Sequence, residues 1–476
     1  MPSNPLLIPL IVACALFMEN LDSTVLSTSL PAIAVDIGVN PVALKLALTS
    51  YLLSLAIFVP ASGWVADRFG ARLVFRAAIA VFVFGSIMCG LSSTLGGFVA
   101  ARTVQGIGGA MMVPVGRLVV LRSIEKRDLV AAMAWVTIPA LIGPMIGPPV
   151  GGFITTYLHW RWIFWINVPI GALGLVLATL FVPDIRGEEQ RRFDFLGFVL
   201  SGIGLAGVVS GSTLLGLAFL PWWTGLAVIG FGGLVLAAYW MHYRRAKAPI
   251  LDLGLFRTPT FRVGVTGGFL FRMGMGASPF LLPLLLQVIF GMSPLESGLT
   301  TFVGSAGALL MKFAAPPLIR AFGFRTCLAA AAVIGASFSA STALFTIATP
   351  RMVMMAVLFV GGFFRSMLFT AMNAVVYSDI EQIEMSRATS LSSVAQQVAL
   401  SMGVSFGALT LEVSMAMRGT GVLARSDFVA AFLVVGVLCI SAVPFFLRLR
   451  PDAGSAVSGH RRYAVSEAAR NPVAST

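Results

Sequence analysis

Two acidic residues, Glu19 and Asp22, lie inside the first long apolar run of the chain. They are three residues apart, so on a helix their carboxyl groups share one face. An ionisable group within a membrane is costly and usually faces a polar cavity or a partner of opposite charge. A carboxylate held in this way can bind and release a proton. The pair is therefore a candidate proton carrier, and a structural pair that only locks two helices together is the alternative.

Basic residues also fall inside apolar runs, at Arg102, Arg272, Lys312 and Arg365. Arg102 is expected near the outer end of the fourth run, at a depth where it can meet Asp22. Arg272 and Arg365 come out near the middle of their runs, and Lys312 lies deeper. With Asn373, these three cations form a candidate substrate cavity that attracts anionic or zwitterionic groups. Pairing with backbone carbonyls or with partners across the bundle is the alternative.

The composition identifies the medium in which these charges lie. Of the 476 residues, 58% are hydrophobic and 11% are charged, and the mean hydropathy is +0.94. A soluble domain carries about 25% charged residues, so the chain is expected to be an all-α integral membrane protein. Membrane topology explains the net charge of +13 better than nucleic-acid binding, because the arginines fall between apolar segments.

Fourteen apolar runs, from residues 6–28 to residues 427–447, are long enough to cross a bilayer, for which about 20 residues are needed. They predict an N-terminal six-helix half, two inserted transmembrane helices with flanking cytoplasmic loops, a C-terminal six-helix half and a disordered cytoplasmic tail. The respective residues are 1–182, 183–260, 261–447 and 448–476. With the N-terminus in the cytoplasm, 23 of the 32 Lys and Arg residues fall on the cytoplasmic side. The positive-inside rule therefore predicts that both termini are cytoplasmic.

A short charged segment, GWVADRFGAR at residues 63–72, joins the second and third runs. Glycine suits a sharp turn and a close helix approach, and an acid such as Asp67 can interact with a cation or a helix N-terminus. The segment is a candidate gate, with a simple structural cap as the alternative. FGAR at residues 69–72 is echoed by FGFR at residues 322–325, with Arg320 where the first copy has Asp67. The echo predicts that spans 1–6 and 9–14 are parallel repeats.

Five motifs, in the expected order and places, carry a resemblance to the major facilitator superfamily. They are LDSTV at residues 21–25, GWVADRFGAR at 63–72, RTVQGIGG at 102–109, GPMIGPPVGG at 143–152 and WRWIFWINVP at 160–169. The chain resembles the fourteen-spanner drug:proton antiporters (the EmrB/QacA branch) and, among them, the MdtD-type multidrug transporters. The resemblance runs from about residue 6 to residue 447 and is densest in the first six spans. At Ala71 the chain departs from the family, which usually has a basic residue there.

The resemblance implies a role for each group of motif residues. Proton coupling would fall to Asp22, Glu19 and Arg102. Gating would fall to Gly63, Asp67, Arg68, Gly70 and Arg72, and Asp67 would meet the start of span 13 near Arg387. The antiporter motif would keep the route leak-tight and favour exchange over uniport. Its residues, in a stretch that glycine and proline are expected to kink and pack closely, are Gly143, Pro144, Gly147, Pro148, Gly151 and Gly152.

The expected function is proton-coupled antiport by alternating access, and the resemblance implies multidrug efflux across a bacterial inner membrane. The basic C-terminal half supports export of an organic anion or metabolite as the alternative. A membrane-embedded enzyme is disfavoured, because the sequence has three histidines and lacks the HExxH zinc motif and the GxxxxGK[ST] phosphate loop. A channel or an inactive scaffold stays open. The expected partners are a small-molecule substrate, protons and the lipid bilayer, without nucleic acid, cofactor or metal; a periplasmic adaptor cannot be read from the sequence.

Overall fold

The computed structural model describes residues 6–124, 129–184, 193–215, 221–381 and 384–460. Within these ranges the chain forms helices and contains no β-strand. The hydrocarbon of a bilayer holds no water to bond backbone N–H and C=O groups, and a helix pairs these groups within one segment. The apolar runs therefore form helices, as expected for the all-α class.

The N-terminal part of the chain forms eight helices. They are α1 (Leu7–Ile37), α2 (Lys45–Phe58), α3 (Ser62–Phe69), α4 (Ala71–Leu91), α5 (Leu95–Ser123), α6 (Leu129–Tyr157), α7 (Trp162–Trp165) and α8 (Asn167–Phe181). A 3₁₀ turn at Val59–Ala61 joins α2 to α3, so the two helices follow one path through the bundle. In the same way α7 leads directly into α8.

Ten more helices complete the described chain. They are α9 (Phe195–Leu214), α10 (Trp222–Tyr243), α11 (Pro259–Gly276), α12 (Ser278–Leu284), α13 (Pro294–Ser341), α14 (Arg351–Val375), α15 (Met385–Met417), α16 (Arg425–Ile440), α17 (Val443–Leu447) and α18 (Ser455–Ser458). A π-helical turn at Leu285–Ile289 extends α12.

Twelve helical segments of the described chain are long and apolar enough to span a membrane. The structure does not confirm the predicted count of fourteen. The helix α6, of 29 residues, is not among the twelve. The helix α13 enters the count once, although it contains Gly323 with φ 75° and ψ 164°, a non-helical residue at which two helices join. The structure thus establishes a multi-span helical bundle.

The segment at residues 63–72 is almost wholly helical and not the loop that its charges predict. The helix α3 runs to Phe69 and α4 starts at Ala71, so only Gly70, with φ 92°, breaks the path. The close helix approach expected at Gly63 is wrong, because an added Cβ there would have nothing within 4 Å. The echo at residues 322–325 has the same geometry, since Gly323 also adopts a positive φ, of 75°.

The two ends of the bundle are distinguished by their contacts. At one end, here called the distal face, Arg161 donates to Asp36 Oδ2 at 2.6 Å and to the carbonyl oxygen of Ser92 at 3.2 Å. The other end, here called the terminal face, carries the breaks at Gly70 and Gly323 together with α18. Both ends of the described chain lie at the terminal face.

The beginning of the predicted tail folds back onto the bundle. Helix α18 packs on α13, and a Cβ added at Gly454 would lie 2.7 Å from the ring of Phe324. His460 Nδ1 lies 2.9 Å from the carbonyl oxygen of Arg320. The tail predicted to be disordered starts at residue 448; the structure describes it as far as residue 460, with the contacts given above, and residues 461–476 lie outside the described part of the chain.

The hairpin of α9 and α10 lies beside the junction of the N-terminal and C-terminal helices. Glycines let its two helices approach, since a Cβ added at Gly207 would be 2.7 Å from Gly232 Cα. On its other side α9 packs against both α2 and α15. The hydroxyls of Thr213 and Ser405 are 2.7 Å apart, so a hydrogen bond ties α9 to α15.

Candidate functional site

A buried polar network surrounds Asp22 in the middle of the N-terminal helices. Arg102 Nη1 donates to Asp22 Oδ2 at 2.6 Å, and both side chains are 1% exposed. Gln105 and Asn167 each donate a side-chain N–H to Asp22 Oδ1 at 2.9 Å. Ser86 links the network onward, because it accepts from Asn167 at 3.0 Å. The carboxylate of Asp22 is thus held by one cation and two amides from two other helices, α5 and α8.

Small residues on α5 allow the neighbouring helices to approach this network. A Cβ at Gly106 would lie 2.8 Å from the carbonyl oxygen of Tyr51 on α2, and one at Gly108 would lie 2.5 Å from the backbone nitrogen of Phe82 on α4. On α4, a Cβ at Gly85 would meet the backbone of Gln105 at 2.5 Å. The glycines of the RTVQGIGG motif therefore let α2, α4 and α5 close around Arg102.

Glu19 lies close to the network but lacks its hydrogen bonds. Glu19 Oε2 and the hydroxyl oxygen of Tyr51 are buried, and neither has a hydrogen-bond partner among the described residues. The ring of Tyr51 stacks under the guanidinium of Arg102, with 4.2 Å between Arg102 Cζ and the ring centroid. A buried carboxylate oxygen without a partner is costly when charged. Glu19 is thus a buried carboxyl group with an unpartnered oxygen, whereas the carboxyl group of Asp22 contacts Arg102, Gln105 and Asn167.

The candidate gating residues lie at the terminal face and contact their own bundle. Asp67 Oδ1 is 2.9 Å from Nη2 of Arg122 at the end of α5. Arg72 donates to the carbonyl oxygen of Thr179 on α8. Arg387, the expected neighbour of Asp67, instead donates to Asp252 Oδ2 at 3.2 Å. In this conformation Asp67 therefore pairs with Arg122, and Arg68 completes the last turn of α3.

The antiporter motif forms the contact surface of α6. Its glycines at 143, 147 and 151 are four residues apart, so they share one face, and this face lies against α1. A Cβ added at Gly151 would be 2.5 Å from the carbonyl oxygen of Val25, and one at Gly147 would be 2.0 Å from Thr24 Oγ1. The helix is continuous through its four prolines, which include Pro144 and Pro148.

On its next face α6 meets α13 of the C-terminal helices. A Cβ at Gly152 would be 2.4 Å from the carbonyl oxygen of Pro294, and one at Gly298 would be 2.2 Å from that of Pro148. The motif therefore supplies two close helix contacts: Gly143, Gly147 and Gly151 face α1, and Pro148 and Gly152 face α13.

Polar contacts between the N-terminal and C-terminal helices concentrate toward the distal face. Lys45 Nζ and Glu412 Oε2 form an ion pair at 2.8 Å, with the Lys45 side chain 0% and the Glu412 side chain 13% exposed. Thr156 Oγ1 accepts from the backbone nitrogen of Leu295 at 3.1 Å. Gln287 donates to the carbonyl oxygen of Thr28 at 2.8 Å. These contacts close the bundle at its distal face.

Two of the predicted cavity cations, Arg272 and Lys312, have neutral partners. Arg272, which is 2% exposed, donates from Nη2 to Asn373 Oδ1 at 3.0 Å. Lys312 Nζ donates to Thr370 Oγ1 at 2.9 Å. Thr370 and Asn373 are three residues apart on α14, so both bonds are made on one face of that helix.

None of the predicted cavity cations is matched by an acid in the described part of the chain. No described acid forms an ion pair with Arg272, Lys312 or Arg365, and Arg272 Nε is buried without a partner. Three basic groups without acidic partners make this region attractive to an anion. Within the same ranges, no group of three or more His, Cys, Asp or Glu side chains could hold a metal ion.

Several residues of these sites have no role in the predictions made from the sequence. Gln105 and Asn167 belong to the motifs at residues 102–109 and 160–169, and both are polar residues within apolar runs. This combination is the signal that could have added them to the Asp22 network. Lys45 and Glu412 are 367 positions apart in the sequence, and each lies near the distal end of its span. Opposite charges at equal depth were the signal that could have paired them.

Comparison with known proteins agrees with the helical architecture. The Major Facilitator Superfamily model matches residues 12–404 and 264–474. A relative from Serratia proteamaculans (strain 568), named "Putative multidrug resistance protein MdtD", is 40% identical over 404 residues, which cover 84% of this chain and 84% of the relative. A protein of the same name from Yersinia pestis (strain Pestoides F) is 36% identical over 457 residues, covering 94% of this chain and 96% of the relative.

Solved structures of transporters share the fold at low sequence identity. The D-xylose-proton symporter superposes with a TM-score of 0.67 at 16% identity, covering 94% of this chain and 98% of that one. The human organic anion transporter MFSD10 (TETRAN) superposes with a TM-score of 0.60 at 14% identity, covering 94% and 100%. These findings confirm the resemblance predicted from the motifs: the chain belongs to the major facilitator superfamily and is a multi-pass membrane transporter, not an enzyme.

Proposed function

We propose that the protein is a proton-coupled antiporter that exports small molecules, chiefly lipophilic drugs, by alternating access. The observation that carries the proposal is the buried pair of Asp22 and Arg102, 2.6 Å apart with both side chains 1% exposed. Buried ionisable groups in membrane spans mark substrate, ion and proton pathways. Drugs are the proposed cargo because the relatives from Serratia and Yersinia carry multidrug resistance in their names.

In the proposed cycle, Glu19 and Asp22 are the groups that take up and release the proton. A proton on Asp22 would remove the negative charge that Arg102 contacts, and it would weaken the bonds from Gln105 and Asn167. The residues that hold α1, α4, α5 and α8 together would thereby loosen. Arg102 would then attract the carboxylate form of Asp22 again. This attraction would favour release of the proton once the other side of the membrane is accessible.

We also propose fourteen membrane spans, arranged as two six-helix halves with α9 and α10 inserted between them. Two observations support this number: α6 is 29 residues long, and α13 has a helix break at Gly323 that divides its 48 residues into two spans. The excess of Lys and Arg in the segments assigned to the terminal face supports a cytoplasmic location for both termini. The bacterial relatives support the cytoplasmic (inner) membrane as the location.

Two sets of contacts would alternate during transport. The ion pair of Lys45 and Glu412 would hold the distal face closed, as it does in the conformation described here. In the other conformation Asp67 would leave Arg122 and meet the start of α15 near Arg387, as the family resemblance implies. Each set is complete in one state only, which is the requirement for a two-state gate.

A proteoliposome assay with an imposed pH gradient tests the proposal. The gradient should drive transport of a cationic dye by the wild-type protein, and Asp22→Asn should abolish the dependence on the gradient while the protein still elutes as a folded monodisperse species. Asp36→Asn is the matched control, because Asp36 is on the same helix but bonds to Trp160 and Arg161 at the distal face. Undiminished gradient-driven transport by Asp22→Asn would reject the role of this residue.

Export of an organic anion is the second candidate function, and the cations of the C-terminal helices favour it. Arg272 and Lys312 are held by the neutral side chains of Asn373 and Thr370. A buried guanidinium whose Nε–H has no partner can donate a hydrogen bond to a carboxylate or sulfonate oxygen. The same liposomes, loaded with an anionic dye in place of the cationic one, distinguish the two functions. This candidate is favoured if the wild-type protein transports the anionic dye and Arg272→Gln abolishes that transport. Transport of the cationic dye alone would exclude it.

A further inference from the structure

The second copy of the loop motif, at residues 322–325, forms a groove that the transport mechanism does not use. The groove has a volume of about 490 Å³ and lies between α13, α17 and the end of the described chain. Its polar end is lined by Arg325, Thr326 and His460, and its apolar side by Phe322, Ala330 and Leu447. A groove with one charged end and one apolar wall has the character of a lipid-binding site.

The apolar wall is open to the surroundings of the bundle. Phe322 is 54% exposed and Leu447 is 48% exposed. Phe322 precedes the helix break at Gly323, so the wall lies where a membrane span ends at the terminal face. An acyl chain in the adjoining leaflet can therefore lie along these side chains while its headgroup reaches the polar end.

Arg325 is the residue that would hold the headgroup. It has no hydrogen bond or ion pair within the described ranges. Its counterpart in the first copy, Arg72, donates to the carbonyl oxygen of Thr179. Both arginines follow a glycine with positive φ by two residues, at Gly70 and Gly323. The backbone geometry is therefore the same in both copies, but the side chain of Arg72 is already hydrogen-bonded to the protein, whereas that of Arg325 can bond to a ligand.

The other charges around the groove are predominantly positive. Arg320 stands where the first copy has Asp67, and its carbonyl oxygen contacts His460. Arg448 is exposed beside Leu447. Arg450 is exposed as well and pairs at 3.4 Å with Asp452. The replacement of an acid by Arg320 removes a group that would repel phosphate and adds one that attracts it.

We propose that this groove binds the phosphate headgroup of an anionic phospholipid from the leaflet at the terminal face. Arginine presents several N–H donors in a planar fork that matches the oxygens of a phosphate. Basic pockets between membrane helices recognise anionic lipid headgroups through the same chemistry. The docked segment from Gly454 to His460 closes one side of the groove, because the ring of His460 would be 3.0 Å from a Cβ on Gly323.

Lipid binding to the purified full-length protein in neutral detergent tests the proposal. The probe is phosphatidylglycerol, compared with phosphatidylcholine of the same chain length, and the readout is the number and affinity of bound lipids by native mass spectrometry. Arg325→Gln should weaken phosphatidylglycerol binding by about tenfold or more, the change expected when a charge-assisted hydrogen bond is lost. Arg325→Lys keeps the charge but loses the planar fork, so it should bind phosphatidylglycerol more weakly than the wild type and more tightly than Arg325→Gln; it also guards against a folding defect in the glutamine variant.

Arg257→Gln is the matched control, because Arg257 is an exposed arginine at the end of a 3₁₀ turn (Leu253–Arg257) outside the groove. Its affinity for phosphatidylglycerol should stay within twofold of the wild type. Equal binding of the two lipids, unchanged binding by Arg325→Gln, or an equal loss in Arg257→Gln would each overturn the proposal. Full displacement of the lipid by millimolar inorganic phosphate would also overturn it, because the site would then belong to a soluble anion.

Discussion

Neutralising Glu412 is expected to open the distal face. Glu412→Gln keeps the size of the side chain but removes its negative charge, so Lys45 keeps only neutral oxygens as partners, among them the carbonyl oxygen of Leu215 at 3.4 Å. The Lys45 side chain is fully buried in the closed state. Opening would return this charge to water, so the substitution penalises the closed conformation more than the open one.

The magnitude follows from the burial of the pair. Removing one partner of a buried ion pair costs roughly 3–5 kcal/mol. Because Glu412 is 13% exposed, the lower value of about 3 kcal/mol is the appropriate one. Since each 1.4 kcal/mol changes an equilibrium about tenfold, the ratio of distal-open to distal-closed protein should rise by about 100-fold.

Distance measurements between spin labels can detect this change. Labels at Val35 and Met417 are suitable because both side chains are highly exposed near the distal ends of α1 and α15. Electron–electron double resonance in liposomes should show a longer-distance population in Glu412→Gln that is minor in the wild type. The double variant Lys45→Met with Glu412→Leu should recover much of the closed population, because no unpaired charge is then buried.

A second distal ion pair serves as the control for this experiment. Glu296 and Arg351 are 3.6 Å apart, and the Glu296 side chain is 48% exposed. Both residues belong to the C-terminal helices, so their pair does not join the two parts of the bundle. An exposed pair contributes about 0–1 kcal/mol, so Glu296→Gln should shift the populations by less than about fivefold. A shift in Glu412→Gln no larger than this would refute the reasoning.

Two further predictions concern the packing of α6 and the motif at α3. Gly151→Val should lower the thermal unfolding temperature of the purified protein, because its Cβ would lie 2.5 Å from the carbonyl oxygen of Val25, and overpacking costs about 1–3 kcal/mol. Asp67→Ala should slow dye exchange in liposomes more than Arg122→Ala does, because Asp67 is proposed to serve in both conformations and Arg122 in one.

Each of these predictions has its own control. Gly230 is on α10 and a Cβ there would have nothing within 4 Å, so Gly230→Val should leave the unfolding temperature nearly unchanged. A similar loss at both glycines would mean that valine itself, and not the contact with α1, is responsible. Equal rates of exchange in Asp67→Ala and Arg122→Ala would favour a structural cap over a gate.

The fold was largely predictable because the bilayer restricts what an apolar chain can do. Long apolar runs must become helices there, and the motifs pointed to the family. Helix ends and breaks were less predictable, since they depend on single residues. Gly70 and Gly323 were recognisable as glycines, but the chain also has glycines such as Gly63 that remain helical. The conformation of a glycine depends on the residues that pack around it in space, and these residues are not its neighbours in the sequence.

The site was predictable to the extent that buried charge is rare. Asp22 and Arg102 stood out as ionisable groups in apolar runs, and the structure brings them to 2.6 Å. The partners Gln105 and Asn167 are uncharged, so burial alone did not distinguish them from other polar residues. The contact of Asp67 with Arg122 was not foreseen either. It belongs to one of two conformations, and one sequence encodes both.

The inserted hairpin makes the two moving parts of the transporter unequal. The buried hydrogen bond between Thr213 and Ser405, 2.7 Å long, fastens α9 to α15, whereas the bond from Lys45 on α2 to the carbonyl oxygen of Leu215, at the end of α9, is longer at 3.4 Å. When the bundle rocks, the hairpin is expected to travel with the C-terminal helices and to slide across α2. The C-terminal body therefore displaces more lipid per cycle than the N-terminal body. The work done against lateral membrane pressure should accordingly fall on one side of the molecule, so bilayer stiffness becomes a determinant of its turnover rate.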